Sequence, residues 1–121
     1  MANLVLALHA APAANAPAQY RSLLAYHYAQ AALVSGHRVS MIFFYGAAIS
    51  HAAPPTSPAA ATIIEQWQRL AQQHHIPLVV CQTLAESMYQ LDIDHLPDAF
   101  TAGGLTEFAQ AVARADHLIQ F

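Results

Sequence analysis

Short runs of apolar, β-compatible residues alternate along this chain with segments of helical period, and few folds tolerate that pattern. Asn3–Leu8 is the first run, bounded by the Pro/Ala/Asn segment from Ala11 to Pro17, and it predicts a strand. From Pro17 to Ser35 the positions Leu23, Leu24, His27, Tyr28, Ala31 and Val34 recur at helical spacing. Pro17 suits a first helical turn and Gly36 a C′ position. Arg38–Tyr45 (RVSMIFFY) ends almost wholly apolar, as a strand covered on both faces does. A loop of Gly, Ala, Ser and Pro follows from Gly46 to Ser57. Ser57-Pro58 then pairs a cap residue with Pro at the first helical position, and the helix runs to about His75 with Ile63, Ile64, Trp67 and Leu70 as its stripe. Pro77–Cys81 (PLVVC) is a third buried strand, followed at once by helix-compatible Gln82–Gln90. Leu91–Gly104 is polar and aperiodic apart from a short strand near Phe100; Leu105–Ala115 is a last amphipathic helix and His117–Phe121 a last strand. This alternation predicts one α/β domain: a three-layer α/β/α arrangement around a mostly parallel sheet of four or five strands.

Composition narrows the function. The 121 residues are one domain's worth of chain. Asp, Glu, Lys and Arg supply only 9%, against roughly a quarter in an average soluble domain. No lysine is present; the cations are Arg21, Arg38, Arg69 and Arg114. Schiff-base chemistry and a lysine-bearing P-loop are thereby excluded. A net charge of −3 with so few cations argues against direct nucleic-acid binding. Such a charge-poor chain predicts that part of its surface is buried against other subunits. The longest nonpolar stretch, Met41 to Ile49, is about half of the roughly 20 residues a spanning helix needs, so no membrane span is expected. Leu4–Leu8 imitates a secretory leader, but it lacks a basic n-region and breaks at His9, short of the roughly 7–15 residues of an h-region. It reads as a buried strand, and the chain as cytoplasmic.

The single cysteine, Cys81, rules out an internal disulfide and a cysteine-based metal cage. It falls where the third strand hands over to a helix, at the carboxyl edge where reactive groups of such sheets gather. Free N–H groups and the helix dipole there favour a thiolate or a persulfide anion. Its other reading is a small hydrophobe continuing Val79-Val80. Eight histidines invite a metal, yet none pair at i, i+4 on one helix face, and adjacent His74-His75 point apart. Asp92, Asp94, His95 and Asp98 read as a solvated loop, since Leu96-Pro97 stands where a calcium loop needs glycine. Neither metal nor cofactor is expected. His51, in the loop after the second strand, reads as a loop residue or as a group that assists chemistry at Cys81 by steering or protonating a leaving group. Gly103-Gly104 before a helix reads as close chain packing rather than an anion cradle. Tyr20, Tyr26, Tyr28, Phe43, Phe44 and Tyr45 form no basic-aromatic platform and read as core and subunit interface.

Several short motifs in order resemble the DsrE/TusD family of small sulfur-relay proteins. They are Tyr28-Ala29 through Ser35-Gly36-His37, Ile42-Phe43-Phe44-Tyr45, Thr56-Ser57-Pro58, Trp67-Gln68-Arg69-Leu70, Leu78-Val79-Val80-Cys81, Phe100-Thr101-Ala102-Gly103-Gly104-Leu105, and Ala115-Asp116 with Gln120-Phe121. The Gln-Phe terminus looks more like the TusD branch. The resemblance runs nearly end to end and implies a DsrE-like sulfur-relay domain over residues 1–121. It implies a sulfurtransferase subunit in which Cys81 accepts persulfide sulfur and passes it on, in the relay leading to 2-thiouridine at the tRNA wobble position. Dissimilatory sulfur oxidation, or a non-catalytic scaffold subunit, is the alternative. The implied partners are two sister subunits in a heterohexamer, with sulfur-carrier proteins upstream and downstream. One departure is that Ala85-Glu86-Ser87-Met88-Tyr89-Gln90 stands where the family carries a basic pair. With no second cysteine to resolve Cys81, transfer must run between proteins.

Overall fold

Five parallel strands form one sheet; the three inner ones supply most of its buried apolar residues, while the last strand of the chain lies largely exposed at one edge. A computed structural model describes residues 1–12 and 20–121. Along the chain lie β1 (Asn3–Leu8), α1 (Arg21–Val34), β2 (Arg38–Phe44), a 3-10 segment (Gly46–Ala52), α2 (Pro58–His74), β3 (Leu78–Cys81), α3 (Gln82–Ser87), β4 (Phe100–Gly103), α4 (Leu105–Arg114) and β5 (His117–Gln120). The sheet order is β4-β3-β2-β1-β5, with every pairing parallel. Pro17, expected to open the first helix, lies outside the described residues. The loop expected from Gly46 to Ser57 is partly a 3-10 segment.

Right-handed crossovers dictate which face each helix covers. From β1 to β3 the strands are added in one direction, which puts α1 and α2 on one face; the return from β4 to β5 puts α4 on the other. Side chains confirm it. Phe44 meets Trp67 of α2 edge-on at 5.8 Å, while its neighbour Phe43 stacks on Phe108 of α4 at 4.5 Å. Consecutive strand residues point to opposite faces, so the two helices lie on opposite sides.

The second helix starts as its sequence predicts: Ser57 accepts from the Ala60 N–H at 3.1 Å and Pro58 opens the first turn. Ile63, Ile64, Trp67 and Leu70 are all buried. The first helix departs from expectation. Its buried face is Ser22, Ala25, Ala29 and Ala32. Leu24 is 59% exposed and Val34 88%, with Tyr28 also outward. Both sets recur at helical spacing. The small one wins because Leu4, Leu6, Leu8 and Trp67 already fill that layer, leaving room only for a close-packed alanine face. α3 ends earlier than expected, at Ser87. The chain turns back there, the Leu91 N–H reaching the Ala85 carbonyl at 2.9 Å with Gln90 at φ 52°. Among the described residues, no helix is long and apolar enough to cross a membrane.

Candidate functional site

Cys81 is the last residue of β3 and the residue from which α3 starts, with φ −63° and ψ 113°. It pairs in register with Gly103 of β4, the residue before the α4 turn. By the alternation of β3, Cys81 shares the α4 face with Val79, and Val79 pairs with Phe43. The carboxyl edge of the sheet thus presents the thiol where two helices begin. The side chain is 5% exposed, so it is nearly enclosed in the isolated subunit.

Across this edge Cys81 has aromatic company. Tyr45 follows β2 in extended conformation and stacks on Phe43 at 6.2 Å. His9, just past β1, meets the Tyr45 ring at 6.0 Å and 75°. Its Nε2 lies 3.1 Å from Gln120 Oε1. Sequence reading placed Tyr45 in a core or interface and did not connect His9 with Cys81. The connecting signal is strand register, which no local pattern carries.

His51 belongs elsewhere. It shares the carboxyl edge with Cys81 but lies on the opposite face, 5.0 Å from the Phe44 ring and fully buried. The Ala48 carbonyl can only accept, so Nδ1 carries the proton and donates to it at 2.7 Å. Nε2 then accepts from the Ser22 hydroxyl at 2.7 Å, and Ser22 Oγ accepts from the Trp67 Nε1–H at 3.0 Å. Burial pushes the imidazole down to about 4, against a smaller upward pull from the Ala48 carbonyl. Both ring nitrogens are occupied, Nδ1 by the Ala48 carbonyl and Nε2 by the Ser22 hydroxyl, and His51 has none to offer a sulfur atom. It ties α1, α2 and the 3-10 segment together.

The remaining candidates are structural. Asp92 accepts from His95 Nδ1 at 2.7 Å and from the Asp94 N–H at 3.0 Å. The His95 ring and, less strongly, that amide hold the Asp92 carboxyl below the usual carboxylate range. Among the described residues, no three His, Cys, Asp or Glu side chains gather to hold a metal. His75 closes α2 in the left-handed conformation, φ 57°. At the glycine turn, Glu107 Oε2 takes the Gly104 N–H at 2.6 Å, so the chain's own carboxylate occupies what an anion would seek. A Cβ on Gly103 would stand 2.8 Å from Val79 Cγ1, which is the close packing expected of this turn.

The fold and the chain as a whole, rather than any single residue, are what comparison with other proteins matches. A model described as the DsrE/DsrF-like family matches residues 9–121, and the chain belongs to that family. It is 37% identical over 109 residues to "Sulfurtransferase TusD" of Serratia proteamaculans, covering 80% of this chain and 84% of that one. It is 36% identical to "Sulfurtransferase TusD" of Pectobacterium carotovorum with the same coverage. It is 32% identical over 106 residues to "Sulfurtransferase TusD homolog" of Pasteurella multocida, covering 79% and 84%. The crystal structure of the ychN protein from E. coli superposes with a TM-score of 0.70 over the whole of both chains at 20% identity, so the fold is shared.

Proposed function

We propose that this chain is a sulfurtransferase subunit of a sulfur relay and that Cys81 is its sulfur carrier. One observation carries the assignment of the residue: the only thiol of the chain stands at the carboxyl edge of β3, at the start of α3, in a family whose relatives are named sulfurtransferases. Persulfide transfer needs a thiolate and an accessible outer sulfur, with no metal, nucleotide or acid–base dyad. Because no second cysteine is present to form an internal disulfide, Cys81 receives sulfur from one protein and yields it to another. The relay we favour ends in 2-thiouridine at the tRNA wobble position, in keeping with the TusD-named relatives. The chain acts in the cytoplasm with sister subunits of the same fold in a heterohexamer.

The 5% exposure of Cys81 favours a second reading, a scaffold subunit whose cysteine is a core residue while a sister subunit does the chemistry. The two readings separate by mass spectrometry. After incubation with glutathione persulfide, intact mass should show a sulfur adduct on the wild type and none on Cys81→Ser, which keeps the shape and removes the thiol. Equal adduct on the Ser variant, or none on the wild type with its sister subunits present, overturns the carrier assignment.

A further inference from the structure

One row of residues crosses the carboxyl edge in register, Gly103, Cys81, Tyr45 and His9, the last three with side chains on the α4 face. Cys81 pairs directly with Gly103. Phe44 pairs with Val80 on one side and Leu8 on the other, so the next residue of each strand falls into step. The Tyr45 N–H donates to the Leu8 carbonyl at 3.0 Å, carrying the ladder to that point. Neighbouring strands lie about 4.8 Å apart, so Tyr45 stands beside Cys81.

The Tyr45 ring is held on two sides. Phe43, itself stacked on Phe108, supports one side, and the His9 ring, tied to Gln120, supports another. Its hydroxyl makes no hydrogen bond to another described residue and is not among the enclosed polar atoms, so it opens to solvent at the rim of a half-buried ring. A phenol reaches farther from its strand than a thiol does. The outer sulfur of a persulfide stands about 2 Å beyond Sγ, toward the height of the phenol oxygen.

We propose that Tyr45 is a catalytic residue of the sulfur transfer, its O–H donating to the outer sulfur carried on Cys81. The proposal rests on Cys81 being the carrier. In loading, the Cys81 thiolate attacks the outer sulfur of a donor R–S–SH. The donor S–S bond breaks with its electron pair leaving on R–S⁻, and the new bond gives Cys81–S–SH. Charge and sulfur balance, and nothing is oxidised or reduced overall. Loss of the S–H proton to solvent places a negative charge on the outer sulfur, and a donated hydrogen bond stabilises that charged form. His9 is a positioning residue that acts through the tyrosine ring.

The test is Tyr45→Phe, which keeps the stack on Phe43 and the contact with His9 and removes only the hydroxyl. With glutathione persulfide as donor, the equilibrium ratio of loaded to unloaded Cys81, read by intact mass, should fall about tenfold, as expected for loss of one hydrogen bond to a charged group. The pH midpoint for alkylation of the loaded persulfide should rise, while the thermal midpoint of the protein stays put. A structural role alone leaves that pH midpoint unmoved. If wild type and Tyr45→Phe load to the same extent with the same pH midpoint, Tyr45 has no part and Cys81 remains the carrier. If the wild type takes up no more sulfur than Cys81→Ser, the carrier assignment fails and Tyr45 falls with it.

Discussion

Ser22 is the residue on which the buried polar chain turns, because its one hydroxyl serves both neighbours. It donates to His51 and accepts from Trp67. Ser22→Ala leaves the Trp67 N–H and His51 Nε2 buried without partners, and should cost about 3 kcal/mol in urea unfolding. His51 also makes stability depend on pH. Its folded value of about 4 lies below the unfolded value of 6.5, so the unfolded chain binds the extra proton first. Stability is therefore complete above about pH 6.5 and is lost as pH falls toward 4, by roughly 3 kcal/mol across that window. Urea midpoints measured from pH 7.5 downward should show this decline, and His51→Gln should flatten it. A wild-type curve that is flat across the window would contradict the neutral buried imidazole. Sequence reading noticed His51 for its proximity to the second strand's end. Its partners come from α1 and α2, far along the chain, and so the histidine's role was not legible locally.

At the scale of the element, the β4–α4 turn decides how closely the strand beside Cys81 can approach. Gly103 pairs with Cys81 and faces Val79, with room for a hydrogen where a methyl group would stand 2.8 Å from Val79 Cγ1. Gly103→Ala should destabilise the fold by about 1–3 kcal/mol through overpacking. Adding Val79→Ala should recover part of that loss, since it removes the clashing methyl. A double-mutant cycle in denaturant measures the coupling, and purely additive effects would show that the contact relaxes at no cost. In α1, hydrophobic period and packing diverge. Hydrophobic period selects the bulkiest stripe, Leu24, Tyr28 and Val34, whereas packing against a filled sheet selects the smallest, Ala25, Ala29 and Ala32 with Ser22. In α2 the bulky stripe faces inward, and there period and packing agree.

For the molecule as a whole, the outward face of α1 joins the shortage of charge to the question of partners. Only 9% of the residues are charged, and Leu24, Tyr28 and Val34 stand in solvent on one helix, with Phe121 packed 5.5 Å from the Tyr28 ring. Within a relay assembly this face should be covered by another subunit. Leu24→Glu combined with Tyr28→Glu should weaken association with the sister subunits in sedimentation while leaving the melting temperature of the isolated chain close to wild type. An unaltered assembly would place the contact on another surface.

The strand–helix alternation, the Ser57-Pro58 helix start, the α2 stripe and the position of Cys81 at the end of β3 were all determined by sequence alone, because each rests on residues a few positions apart. Register, strand order and facing are long-range quantities, and only the tertiary structure decided them. They set His9 and Tyr45 in one row with Cys81, moved His51 to the opposite face, and turned the bulky side of α1 outward. The physical reason is that a side chain's period tells which face it shares with its neighbours, while what lies across that face depends on strands brought together from distant parts of the chain.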